Sequence, residues 1–183
     1  MKNPHMNQNS IFLQSEGDAW FQRNREHLAS EKTYETNDVR YICESLSPFK
    51  DRISNILEIG CSNGKKLEAL CRHFSAKGSG IEPANEAVIE GNNRIKTCEI
   101  TLVRGTSEKL PYPENSFDLV YFGFCLYLVD RSTLLQSLAE ADRVLKPSGF
   151  LAITDFDPGS PRKRKYAHMN GLYSYKQDYA QFY

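Results

Sequence analysis

The chain lacks any apolar run approaching the length of a membrane span, and it has no basic-then-apolar leader at its start. It therefore reads as a cytoplasmic protein with no membrane partner. It also lacks a surplus of charge. Its 23 Lys and Arg residues balance 23 Asp and Glu residues, which points away from a nucleic-acid partner at the level of the whole chain. The five cysteines, Cys43, Cys61, Cys71, Cys98 and Cys125, form no C-x-x-C pair and are odd in number. That argues for reduced thiols over a disulfide framework or a zinc site, and with no ligand residues clustered at metal spacing, no metal is expected. No internal repeat is present. What is there, 183 residues with 40% hydrophobic and 25% charged side chains, is the composition of one soluble globular domain.

The chain is organised around Ile56-Leu57-Glu58-Ile59-Gly60-Cys61-Ser62-Asn63-Gly64. Three apolar residues around one acid read as a buried strand. Gly60, Ser62 and Gly64 then turn it into a helix beginning near Lys65. Glycine reaches positive φ, and a missing Cβ lets a ligand lie against the main chain. The helix that follows points its free N–H groups into the same space. Such a loop at the carboxyl end of the first strand of an α/β sheet is where nucleotide-type cofactors bind. The dinucleotide fingerprint G-x-G-x-x-G is not met, because the spacing is Gly60-x-Ser62-x-Gly64 with Glu58 two residues ahead. An ordinary strand–turn–helix with a capping glycine has the same loop, so a second match carries weight. Glu82 ends the next expected strand, 22 positions after Gly60. A carboxylate there is placed to accept hydrogen bonds from ribose hydroxyls. Pro83 follows it, and a helix start would also favour the charge.

The pattern acid-x-Gly-x-small-x-Gly resembles motif I of the class I S-adenosylmethionine-dependent methyltransferases. Gly105-Thr106-Ser107-Glu108-Lys109-Leu110-Pro111-Tyr112 is similar to that family's Gly-Asp-Ala-Glu-x-Leu-Pro-Phe segment, with Thr106 where the family has an adenine-binding Asp. Phe117-Asp118-Leu119-Val120 and Leu145-Lys146-Pro147-Ser148-Gly149-Phe150 also resemble it, so the likeness spans roughly residues 55–156. It implies a doubly wound, mostly parallel, Rossmann-like α/β sheet, with S-adenosylmethionine as cofactor and S-adenosylhomocysteine as product. It implies that Glu58 attracts the cofactor's ammonium, directly or through water. It implies that Gly60, Cys61, Ser62 and Gly64 form the loop, that Glu82 and Pro83 meet the ribose, and that backbone N–H groups of Thr106 and Ser107 read the adenine. Phe122, Gly123 and Phe124 are expected near the methionine moiety, with Tyr127 facing cofactor or acceptor. Asp118 is expected to be structural.

Three segments follow. Residues 1–48 form an N-terminal helical cap or lid, 49–158 the cofactor-binding α/β core, and 159–183 an acceptor-side tail of the same domain. Residues 1 to about 14 read as a polar, mobile start. A helix from Asp18 places Trp20, Asn24 and Leu28 on one face, either as packing or as a lid. A second helix fits Asn37–Leu46 and packs on the sheet. Strands are expected at 55–59, 78–82, 100–103, 117–123 and 150–154. Helices are expected at 64–74 and 84–92, with Ile89 inward, and from Asp130 or Ser132 to Leu145, with Leu135 inward. Beyond Pro158 the chain reads as loop and aromatic tail with no alternating pair of strands. The C-terminal hairpin of the family is therefore expected to be incomplete, and the bare edge of the fifth strand to be covered by the tail or by a second copy in a homodimer. The basic run Arg162-Lys163-Arg164-Lys165 reads as a solvated loop or as an attractor for an acidic acceptor. If the acceptor is a hydroxyl it needs a base, for which Asp155 and His168 are the candidates. The expected function is methyl transfer to an O, N or C nucleophile of a small molecule. Two readings stay open beside it: a cofactor-binding regulatory or scaffold protein without catalysis, and an NAD-dependent oxidoreductase.

Overall fold

The structure, a computed structural model, describes residues 7–30, 36–96 and 99–183. Cys98 and the first six residues lie outside that set. The helices, in chain order, are α1 (Gln8–Ile11), α2 (Gly17–Ser30), α3 (Asn37–Leu46), α4 (Lys65–Phe74), α5 (Asn85–Arg94) and α6 (Leu134–Val144), with one π turn (Phe12–Glu16) joining α1 to α2. The strands are β1 (Asn55–Ile59), β2 (Lys77–Glu82), β3 (Ile100–Arg104), β4 (Phe117–Gly123), β5 (Leu145–Thr154), β6 (Arg162–Lys165) and β7 (Tyr173–Lys176).

Strand alternation builds the two layers. In β1, Leu57 and Ile59 point to one face and Ile56 and Glu58 to the other, and all four are buried. A strand buried on both sides belongs inside a parallel sheet. The sheet has the order β3-β2-β1-β4-β5, with every neighbouring pair parallel. On one face Ile56, Leu102, Leu119 and Tyr121 pack against Val39 and Ile42 of α3, Leu67 and Leu70 of α4 and Val88 of α5. On the other, Leu57, Ile59, Val120 and Phe122 pack against Leu134, Leu138, Ala141 and Val144 of α6. This is the doubly wound sheet expected from the pattern of strands and helices. Strand order reverses between β1 and β4, so the loops leaving their carboxyl ends diverge and open a crevice.

Four local expectations are corrected. Leu135 and Ile89 are 68% and 52% exposed, one position off the apolar stripes completed by Leu134 and Leu138 and by Ala87, Val88 and Gly91. The start of the chain is no loose polar arm from Gln8 onward. Gln8 Nε2 donates to the carbonyls of Leu128 (2.6 Å) and Tyr173 (2.8 Å), and Asn9 Nδ2 donates to Glu108 Oε2 (2.7 Å) and Thr133 Oγ1 (2.9 Å). These partners lie between 99 and 165 positions away, beyond the reach of local patterning. The tail is not all loop either: β6 and β7 pair as an antiparallel hairpin. The basic run Arg162–Lys165 is thus a strand, and Lys163 sits 3.9 Å from the Tyr173 ring centroid, a cation–aromatic contact across the hairpin. The hairpin forms its own two-stranded sheet, so among the described residues no strand pairs with the outer edge of β5, and the main sheet stays at five strands.

Asp118, expected to be structural, receives the N–H groups of Ser54 (3.1 Å) and Asn55 (2.9 Å) and the ammonium of Lys146 (2.8 Å). It thus ties the start of β1 to β4 and β5. Burial acts to raise its pKa, but Lys146 and the two N–H groups outweigh that and hold it below the ordinary value. A carboxylate with a depressed folded-state pKa stabilises above its unfolded pKa of about 4 and loses that contribution as pH falls. Asp118→Asn should therefore lower stability by about 1–3 kcal/mol near neutral pH. Urea denaturation across pH should show the gap to wild type closing below about pH 4.

Candidate functional site

A cavity of about 300 Å³ opens at the carboxyl ends of β1, β2 and β4. Glu58 to Asn63 line it from β1 and its loop, Ile81 to Pro83 from β2, Gly105 to Ser107 from the segment after β3, and Gly123, Phe124, Cys125 and Tyr127 from β4 and beyond. Its fourth side is helical: Asn9 and Phe12, then Trp20, Asn24, His27 and Leu28 of α2. The helical period brings these α2 residues to one side while Phe21 turns away and packs on Ala84 and Ala87.

The loop takes its shape from Gly60, Ser62 and Gly64, all at positive φ (76°, 49° and 74°). Gly60 is required for two reasons. Its φ suits only glycine, and a Cβ there would lie 2.5 Å from the Cβ of Cys125. Packing between the two diverging loops is thus a constraint at Gly60 beside the one expected from sequence. Gly123 leaves room in the same way, since a Cβ on it would stand 2.4 Å from Glu58 Oε1.

Two carboxylates stand at the cavity floor. Glu82 Oε2 accepts from the N–H of Ser62 (2.8 Å) and Glu82 Oε1 from that of Ala84 (3.0 Å). Glu82 therefore laces the β1 loop to the start of α5. Burial raises its pKa to about 7, partly offset by the two N–H groups. Glu58 is 1% exposed, and its Oε2 has no hydrogen-bond partner among the described residues; nor has Ser62 Oγ. Burial raises the Glu58 pKa to about 8, with Lys66 acting in the opposite sense. The nearby cations are already engaged. Lys66 pairs with Asp38, whose Oδ2 also accepts from Tyr121 Oη (2.9 Å), and Lys65 donates to the carbonyls of Leu28 and Ala29. The floor thus presents uncompensated acid to whatever enters.

The residues expected from sequence divide. Glu58, Gly60, Cys61, Ser62, Glu82, Pro83, Thr106, Ser107, Gly123, Phe124 and Tyr127 come together in the wall. Gly64 and Phe122 do not: Gly64 faces Ile95 and Leu102 in the core, and Phe122 is buried on the α6 side. The Ser107 hydroxyl turns to Ser137 Oγ (2.8 Å), leaving only its backbone free for the cavity. Asp155 and His168 are also outside the wall. Asp155 accepts from the N–H groups of Tyr127 (3.1 Å) and Phe156 (2.8 Å), and burial raises its pKa to about 6 against those two bonds. His168 is exposed and stands edge-on to Tyr166. The basic run 162–165 does not line the cavity, so an attraction for acidic molecules has no outlet there. Asn9, Phe12 and His27 were missed from sequence. Only the apolar triplet Ile11-Phe12-Leu13 hinted that the first segment is buried.

Three comparisons bear on this cavity. A family model described as a methyltransferase domain matches residues 57–153. The demethylmenaquinone methyltransferase of Listeria welshimeri is 31% identical over 107 residues, covering 56% of this chain and 44% of that protein. That of Tropheryma whipplei is 33% identical over 101 residues, covering 55% and 41%. The chain thus spans less than half the length of these curated relatives. Among solved structures, the Burkholderia thailandensis 1,6-didemethyltoxoflavin-N1-methyltransferase, with bound 1,6-didemethyltoxoflavin and S-adenosylhomocysteine, aligns over 100% of this chain and 76% of its own, with TM-score 0.72 and 15% identity. The cyclase SpnF aligns over 65% and 47%, with TM-score 0.53 and 23% identity. These structural likenesses carry the fold alone, and a cyclase among them shows why function must be argued from the site.

The buried Glu58, with Oε2 lacking a partner and the Leu67 N–H its one backbone donor among the described residues, has a measurable consequence. A carboxyl group whose folded-state pKa lies above its unfolded value of about 4.3 contributes fully at low pH and loses that contribution as pH rises through the folded pKa. Glu58→Gln removes the titration. The ligand-free variant should gain on wild type steadily between about pH 5 and pH 9 in thermal unfolding. An equal difference at both ends would show that Glu58 is not isolated in the fold.

Proposed function

The chain belongs to the methyltransferase-domain family, and on that premise we propose that its cavity binds S-adenosylmethionine and that its reaction is methyl transfer to a small-molecule acceptor. One observation carries the reading: a fully buried carboxylate oxygen, Glu58 Oε2, left without a partner at the end of β1. A buried acceptor of this kind is costly unless a donor arrives. An ammonium is the matching donor, since a cation beside the carboxylate lowers its pKa and forms a charge-assisted bond. Glu82, at the matching place on β2, has lone pairs left for ribose hydroxyls beyond those given to Ser62 and Ala84. The wall around Thr106 and Ser107 then receives the adenine through backbone groups.

When bound, S-adenosylmethionine supplies a methyl group on a positive sulfur: the acceptor's lone pair forms the new bond while the carbon–sulfur electrons stay on sulfur, leaving S-adenosylhomocysteine. The protein's part is alignment and exclusion of water. Glu58 would hold the methionine end of the cofactor and Glu82 its ribose, Gly123 leaves the passage beside Glu58 open, and Phe12, Trp20 and Leu28 close the helical side. The dinucleotide reading is disfavoured, because a pyrophosphate would meet two acids with Lys65 and Lys66 already engaged. The likeness to the demethylmenaquinone methyltransferases supports the reaction class for this chain.

The test is a pair of measurements. Transfer of a labelled methyl group from S-adenosylmethionine to a component of a cell extract separates catalysis from mere binding, and its absence despite tight cofactor binding would favour a regulatory protein. Calorimetry on Glu82→Ala should show S-adenosylmethionine and S-adenosylhomocysteine weakened in parallel by at least about tenfold. The same variant should lose about 1–3 kcal/mol of stability through the orphaned N–H groups of Ser62 and Ala84. Unchanged binding with only the stability loss would leave Glu82 a purely structural brace.

A further inference from the structure

Just past Gly123, where an added Cβ would stand 2.4 Å from Glu58 Oε1, the wall turns aromatic. Phe124, 40% exposed, stands there at φ 63°, a conformation in which a bulky side chain is a genuine outlier. Such a residue persists only where its surroundings enforce it. The Phe124 N–H donates to Thr154 O (2.9 Å), and its ring lies 4.8 Å from that of Phe156 and 5.4 Å from that of Tyr127, which itself meets Phe156 edge-on at 5.1 Å. Asp155 locks the backbone of both supporting rings by accepting from Tyr127 and Phe156. Trp20 reaches the Tyr127 hydroxyl from α2 with a side-chain hydrogen bond, joining the helical side to this wall. An exposed phenyl ring is therefore held out into the cavity on a rigid aromatic brace and cannot fold away.

The cations of the wall are already engaged: Lys65 and Lys66, at the start of α4, hold the Leu28 and Ala29 carbonyls and Asp38. Lys176, the cation near the ring wall, is seated 3.4 Å from the Phe156 centroid and does not line the cavity. Glu58 of β1, beside Gly123, is an acid. An anionic acceptor would therefore find no free cation beside Phe124 and an acid close by, and burying an unpaired charge is costly. A flat, uncharged ring gains from Phe124 both apolar burial and offset or edge contact with a fixed partner.

We propose that the acceptor is a planar, uncharged aromatic ring carrying its nucleophilic hydroxyl or amino group, and that Phe124 is the residue that selects it by stacking. This rests on the methyl-transfer reading of the cavity, and the experiment separates the two. S-Adenosylhomocysteine is first titrated into the whole chain by calorimetry. The loaded protein is then titrated with 2-naphthol, with decahydro-2-naphthol, its puckered saturated counterpart, and with 2-naphthoate, its anionic counterpart. The expected result is 2-naphthol bound at least about tenfold more tightly than either counterpart. In Phe124→Leu the preference for the flat over the puckered ring should fall about three- to tenfold. The ratio of two probes on one variant is insensitive to a general loss of fold, and Phe156→Leu, which removes the brace from outside the wall, should reduce the same ratio. Equal binding of flat and puckered rings, tighter binding of the anion, no binding of 2-naphthol to the loaded protein, or a ratio unmoved by both variants would each overturn the acceptor class alone. Failure of S-adenosylhomocysteine to bind would overturn the methyl-transfer reading, and this inference with it.

Discussion

Glu82 receiving the N–H groups of Ser62 and Ala84 is the interaction on which the site depends. A glycine-bearing loop at a strand end has many conformations open to it; here the N–H groups of Gly60 and Cys61 go to the Ile81 carbonyl and that of Ser62 to Glu82. The carboxylate at the end of the neighbouring strand takes one N–H from that loop and one from the residue capping α5. Both segments then leave the sheet in fixed directions. The register of β1 against β2, with Ile59 opposite Ile81, brings Glu82 level with the turn at Gly60. The same carboxylate faces the cavity, so one residue serves fold and site together.

The second dependency is long-range. The first helical turns are held from the far side of the chain: Gln8 by Leu128, Asp130 and Tyr173, and Glu16 by Arg23 and Tyr166. The C-terminal hairpin thereby clamps the N-terminal helices over the cavity. The Tyr166 ring lies 5.9 Å from that of Phe12, while the Tyr179 hydroxyl, within hydrogen-bond distance of the Tyr175 (2.6 Å) and Leu126 (3.1 Å) carbonyls, ties the tail to the segment after β4. Along α2 the attachment continues through Arg25 to Glu90 and through the N–H of Glu86 to Asp18. These contacts are polar and distributed, unlike the apolar packing that holds α3 and α4 to the sheet.

The aromatic part of the wall shows how strain and support are paired. Phe124 holds its left-handed conformation because Thr154, Tyr127 and Phe156 surround it, and those are fixed in turn by the β4–β5 register and by Asp155. Asp155, read from sequence as a candidate base, stands in the structure as a bracket for two aromatic residues.

The sequence by itself determined the sheet, the loop and both carboxylates. Alternation and apolar runs mark β1 and β4, small residues mark the turn at Gly60 to Gly64, and the spacing of Glu58 and Glu82 is carried by strands of known rise, so local physics suffices. It also marked one face of α2, since Trp20, Asn24 and Leu28 follow the helical period. Only the tertiary structure decided what that face covers, that Gln8 and Asn9 are buried, and that the aromatic tail folds into a hairpin. Each of these rests on polar or cation–aromatic contacts between residues far apart in the chain, for which single-residue polarity predicts exposure. It decided as well that Phe122 and Gly64 belong to the core and not the wall. Neighbouring strand residues face opposite sides of a sheet, and which side opens into a cavity is set by the reversal of strand order between β1 and β4 and by the helices that pack there.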